Sequence, residues 1–240
     1  MKILKYCLLL LVTLTGLLSV RAQTAEEIIS KHIDAIGGKE KINQIKSVYT
    51  EGTVAVMGTD GQRKTFLLVG KGYRAESDFG QLVIQGFTDK SGWTINPFSG
   101  GPEAQAMSGK EFNAGRNLIY VDGTLSRYTE RGGKVELIGR ENVGAVSTYK
   151  IKETDPDSVS TVFYIDPATY YVLEIVKSGS LNGQDVTITI TLSDFRKTPI
   201  GYTAPFKVET KVGDQIDLVE TIVKMEFDKD MDPKIFEMPK

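Results

Sequence analysis

The chain has 240 residues, 40% of them hydrophobic and 25% charged, with a formal net charge of −2. It carries one cysteine and one histidine, so a typical Cys/His zinc site lacks its parts and His-based catalysis rests on one residue. No basic block occurs, which argues against nucleic acid as a partner.

Residues 1–22 predict a cleaved secretory signal. Lys2 and Lys5 precede an almost uninterrupted apolar run over 7–20, and Val20-Arg21-Ala22 offers the small residues a signal peptidase reads, placing cleavage near Ala22. The run is short for a membrane span. Cys7 stands near its start, outside the context of a lipoprotein signal. Cleavage removes three of the 29 basic side chains and no acid, leaving 26 against 31 acidic ones, and it also removes the cysteine. The expected mature chain, 23–240, is an anionic single domain held by its core without disulfides.

Thr24 and Glu27 have capping-box spacing, and Ile28, Ile29, Ile33 and Ile36 form the apolar stripe of a helix stopped by Gly37-Gly38. A second helical turn over 39–45 leads into a strand over 47–57. Thr59-Asp60-Gly61 reads as a hairpin turn. Strands then follow over 63–69, 73–78, 82–88 and 93–95, separated by Gly70, Gly72, Gly80, Asp89 and Gly92. Residues 96–101 predict a loop. Residues 102–120, with Ala104, Ala106 and Ala114, predict a helical or irregular insertion whose apolar contacts are Met107, Phe112, Leu118 and Ile119.

Strands resume over 134–142, 148–153, 160–165 and 171–176. In the next one, Val186, Ile188, Ile190 and Leu192 alternate with Thr187, Thr189, Thr191 and Ser193, the period of a strand with one apolar wall. Gly201 and Pro205 break the chain before a strand over 206–211, and Gly213-Asp214 turns it into 216–227. There Val219, Thr221, Val223, Met225 and Phe227 fall on one side by simple alternation, with Glu220, Lys224 and Glu226 on the other. The fold class is mainly β (α+β), with eleven or twelve antiparallel strands. Such a sheet must curl, under helical covers supplied by the N-terminus and by 102–120. Its interior is either a filled core or a cavity for a lipid-like ligand.

Chemistry is sparse. His32 borders an isoleucine stripe and reads as a boundary residue. Asp155, Asp157 and Asp166 could pair as glycosidase carboxylates, but they flank prolines, as turn residues do. Asp228, Asp230 and Asp232 lack the glycine and glutamate of a calcium loop. Gly70-Lys71-Gly72 lies between strands and is no phosphate loop. No cofactor or metal is expected.

Residues 89–98 read DKSGWTINPF, which resembles the DGK-x-x-W-x-Y-NPF stretch of the LolA/LolB family of outer-membrane lipoprotein-sorting proteins. The opening AEEIISKHIDAIGGKEKINQIKSV and the closing LSDFRKTPIGYTAPFKVETK…VKMEFDKDMDPKIFEMP are similar to Bacteroidetes-type members, in the same order. The resemblance implies an unclosed β-barrel with a helical lid over a hydrophobic cavity that takes acyl chains. It further implies a monomeric periplasmic carrier of a lipid or acylated lipoprotein, serving inner- and outer-membrane sorting complexes. On this reading the cavity is walled by Phe66, Leu68, Leu82, Ile84, Trp93, Val186, Ile188, Ile190 and Leu192. The lid and its loop involve Arg74, Asn96, Pro97, Phe98, Met107 and Phe112. Arg74 stands in for the family's lid-engaging basic residue, although Lys71-Gly72-Tyr73-Arg74 lacks its K-R-P context. A sensor or partner-binding module of the same fold, and a hydrolase of envelope polymers, are the alternatives.

Overall fold

A computed structural model describes residues 23–181 and 183–239. The predicted signal lies outside the described residues. Helix α1 (Ala25–Ala35) opens with the expected capping box: Thr24 accepts from Glu27 N, while the Glu27 carboxylate accepts from Thr24 N. Gly37 and Gly38 follow at positive φ, and α2 (Lys39–Gln44) feeds the first strand.

Among the described residues thirteen strands, more than the sequence pattern predicts, form one antiparallel sheet. They are β1 (Ser47–Val56), β2 (Thr59–Leu68), β3 (Gly72–Asp78), β4 (Leu82–Thr88), β5 (Gly92–Asn96) and β6 (Gly101–Ala106) in the first half. The second half holds β7 (Lys134–Val143), β8 (Val146–Thr154), β9 (Ser160–Ile165), β10 (Val172–Leu181), β11 (Gln184–Lys197), β12 (Thr203–Val212) and β13 (Ile216–Phe227). The spatial order is β6-β5-β4-β3-β2-β1-β13-β12-β11-β10-β9-β8-β7. The chain therefore starts at the middle, meanders to one edge, crosses over, and meanders back from the other edge until β13 pairs with β1.

The crossover holds α3 (Gly109–Gly115) and two 3-10 turns, Arg116–Ile119 and Leu125–Arg127. Helix α3 contacts both β5 and β10. Those strands are eight places apart in the sheet, roughly 38 Å if it were flat, whereas seven helical residues span about 10 Å. The sheet must therefore be rolled, with α3 across its mouth.

Four local expectations need correction. The first hairpin turns at Met57-Gly58, both at positive φ, with Val56 opposite Thr59; this is the two-residue turn that suits strand twist, and Asp60-Gly61 falls inside β2. Residues 101–106 form strand β6, because pairing of Ala106 with Trp93 and Gln105 with Thr94 overrides the helical preference of alanine. A β-bulge opposite Glu51/Gly52 leaves Val223 68% exposed and shifts the parity of β13, so Ile222 and Glu220 join the side of Met225 and Phe227. Pro205 lies inside β12, opposite Phe195; it is tolerated because β12 pairs with β13 only from Lys207 onward.

Two apolar clusters fill one end of the rolled sheet. Ile28 and Ile29 of α1 pack with Leu125, Ile151, Phe163 and Ile165. Ile36, Ile42 and Ile45 pack with Val48, Leu67, Phe206 and Ile222. His32 is buried here, not at a boundary, with Nδ1 2.8 Å from the Tyr170 carbonyl. Burial lowers its pKa, so the neutral ring donates from Nδ1.

Candidate functional site

Directly opposed residues on antiparallel strands share a face, so the register identifies the inner wall. Val48 stands opposite Leu67, Leu67 opposite Tyr73, and Tyr73 opposite Phe87. In the other direction Val56 meets Leu218, Leu218 meets Thr210, Thr210 meets Ile190 and Ile190 meets Ile175. The crossover packs on this face: a side chain on Gly92 would strike Met107, one on Gly115 would strike Phe87, and Lys177 bonds to α3.

Of the nine predicted wall residues, Val186, Ile188, Ile190 and Leu192 stand on this inner face. The other five do not. Trp93 is opposite Gly86, Gly86 opposite Arg74, Arg74 opposite Phe66, and Phe66 opposite Tyr49, all on the outer face. Leu68, Leu82 and Ile84 share that outer parity, opposite Gly72, Asp78 and Glu76. The cause is that β2 to β5 carry apolar residues at both parities, since their outer face is covered too. The 3-10 turn Pro233–Phe236 lies over it, Gly72 and Gly86 make room for the Phe236 and Trp93 rings, and Trp93 Nε1 donates to the Phe236 carbonyl at 2.8 Å.

Toward the hairpin tips, the inner face is an apolar trough. Val186, Ile188, Ile190 and Leu192 of β11, Val208 and Val212 of β12, and Ile216 and Leu218 of β13 are all half-buried. Polar groups interrupt its margin. Arg63 Nη1 donates to Ser77 Oγ at 2.7 Å, and Arg63 Nε lies 3.1 Å from Glu220 Oε2, an ion contact with both side chains under 15% exposed. On the far side, the Thr124 hydroxyl donates to Glu153, whose pKa burial pushes up. A separate recess of about 260 Å³ opens at the β7–β8 edge between Gln23, Leu137, Gly139, Arg140 and Tyr149.

No protein-family model and no curated protein matches the chain. Solved structures do. A DUF1329 family protein from Desulfovibrio piger superposes with a TM-score of 0.58 at 14% identity, covering 90% of this chain and 98% of that one. A domain named for outer membrane lipoprotein sorting, from Vibrio parahaemolyticus, gives 0.58 at 11% identity, covering 88% and 97%. A LolA superfamily protein from Nitrosomonas europaea gives 0.54 at 17% identity, covering 90% and 98%. The fold is LolA-like.

In this LolA-like sheet α3 has the position of a lid. Its capping box uses Ser108 and Glu111. Three polar ties hold it down: Lys110 Nζ to Asp185 at 2.8 Å, Lys177 Nζ to the Ala114 carbonyl at 2.7 Å, and Arg116 to Asp155 and Asp157 at 2.9 and 3.0 Å. Asp155 and Asp157 thus share an arginine, while Asp166 caps a different turn through Ala168 N and Thr169. Asp232 accepts from Lys234 N as a local cap, whereas Asp228 accepts from Lys46 N and ties the end of β13 to the start of β1.

Of the predicted lid contacts, Met107 and Phe112 are half-buried on the crossover. Asn96, Pro97 and Phe98 form the β5–β6 turn, where Asn96 Oδ1 accepts from Phe98 N and Phe98 is 61% exposed. Arg74 is away from the lid. On the outer face it pairs with Glu76 at 2.8 Å, donates to the Ile235 carbonyl at 2.9 Å and lies over Trp93. The inner-face arginine of the early strands is Arg63. Both it and Lys177 are charges at the apolar parity of their strands, and that placement is the sequence signal that marks them.

Proposed function

We propose that this protein is a periplasmic carrier or binding protein, holding a lipid or the acyl chains of a lipoprotein in the trough for transfer towards the outer membrane. One observation carries this reading: aliphatic side chains on the three adjacent strands β11 to β13 stay half-buried toward the hairpin tips, while two packed clusters fill the other end of the sheet. Burying each acyl methylene there is worth ~0.8 kcal/mol, enough to hold a chain yet release it when the lid moves. The LolA-like fold of the matched structures supports the reading. Among the described residues no helix is long and apolar enough to cross a membrane.

The test is native mass spectrometry with lipid extraction on protein purified gently from its own host. A near-stoichiometric bound lipid or acylated peptide is expected, and Ile190→Asp should remove it while the variant stays folded. A clean unliganded mass that also resists loading with acylated probes would overturn the reading in favour of a partner-binding module.

A further inference from the structure

On the inner face, Lys177 is a cation without a carboxylate partner among the described residues. Lys177 sits in β10 between Ile188 of β11 and Thr161 of β9, under the end of α3. Most other cations of this face and of the crossover have carboxylates: Arg63 has Glu220, Arg116 has Asp155 and Asp157, and Arg127 has Asp122, whereas Arg131 and Arg140 lie over the rings of Tyr120 and Tyr149. Among the described residues no carboxylate lies within 4 Å of the Lys177 amine, and its hydrogen bond goes to a neutral carbonyl. That carbonyl is at a helix C-terminus, which favours a cation but supplies only a partial negative charge. Burial accordingly lowers the lysine pKa. An ammonium has three donors, so bonding to Ala114 leaves capacity for a second acceptor.

We propose that the cargo of the trough is a fatty-acid-type lipid whose carboxylate pairs with Lys177, its chain lying along Ile188 and Ile190. This rests on the binding reading above and narrows it. A single compact ammonium matches a singly charged head; a phosphate monoester dianion would leave a charge uncompensated beside half-buried aliphatic residues. The carboxylate gains most where water is scarce, which is where this lysine stands. Lys177 would thus set both the orientation and the class of the lipid: head beneath the C-terminal end of α3, tail along β11.

The test compares oleate, oleyl alcohol and lysophosphatidylglycerol as competitors of a neutral fluorescent acyl probe, on delipidated wild type, Lys177→Met and Lys177→Arg. Wild type should prefer oleate to the alcohol by about tenfold, equivalent to roughly 1.4 kcal/mol. Lys177→Met should lose that preference while still binding the alcohol, and Lys177→Arg should keep it. If wild type binds oleate and alcohol equally, or Lys177→Met keeps the preference, the carboxylate pairing is wrong although the binding reading survives. A Lys177-dependent preference for the lysophospholipid would reassign the head group and overturn the carboxylate. If no competitor displaces the probe, or the probe itself does not bind, the binding reading fails and the pairing falls with it. The wild-type comparison stands even if the methionine variant folds poorly.

Discussion

The two ends of the inner face are built from the same residue types, yet they differ in what covers them. Beneath α1, Ile151 and Ile165 have no solvent exposure, because Ile28, Ile29 and Leu125 close over them. Toward the hairpin tips, Ile188, Ile190 and Leu218 stay half-buried, and among the described residues the only helix across the mouth there is the seven-residue α3 seated on β5 and β10. A rolled sheet of this kind separates stability from binding along the length of its strands: one end supplies the core, and the other keeps apolar surface in reserve.

The largest effect should come from the packed end. Ile151→Ala should cost about 2–5 kcal/mol in denaturant unfolding, since the fully buried site leaves a cavity. Ile190→Ala should cost about 1 kcal/mol or less while weakening lipid loading. Equal losses at the two sites would break the comparison.

A pH series sharpens it at the packed end. The His32 pKa is lowered from 6.5 by burial, so the unfolded chain takes up the proton first. The stability it contributes is complete above pH 6.5 and is lost as pH falls through the lowered folded value. His32→Gln should flatten this acid limb relative to wild type, measured as the difference in unfolding midpoint from pH 8 to 5. The smallest effect belongs to the lid tie Lys110–Asp185, whose side chains are 64% and 79% exposed. Lys110→Ala should change stability by less than about 0.5 kcal/mol, and stopped-flow release of a bound acyl probe should become faster.

Much of the architecture was readable because local chemistry and global fold agree. The Thr24–Glu27 box set the start of α1, and strict alternation over 186–192 marked β11 and its inner wall. Where the reading failed, tertiary pairing outweighed local preference, as when β5 recruited the alanine-rich segment 101–106 into a strand. Face assignment failed for Phe66, Ile84 and Trp93 because period two identifies a strand without saying which apolar parity points inward. Both parities of β2 to β5 are apolar, and the Phe236 segment that covers the outer one lies far off in sequence. The Val223 bulge is invisible for a similar reason: it depends on Gly52, where an added Cβ would come within 2.0 Å of the Thr221 carbonyl oxygen.

The pairing of β1 with β13 at the middle of the sheet, Val48 against Phe227, has a kinetic consequence. Each meander can zip up from neighbouring strands, but joining them closes a loop of most of the chain, the kind of long-range contact that slows folding. Until the last strand docks, one edge of β1 waits unpaired, a template on which a stray strand could settle. The folding chain is therefore most vulnerable to misassembly just before β13 pairs, and a holdase that covers β1 would raise its folding yield more than one that only accelerates hairpin formation.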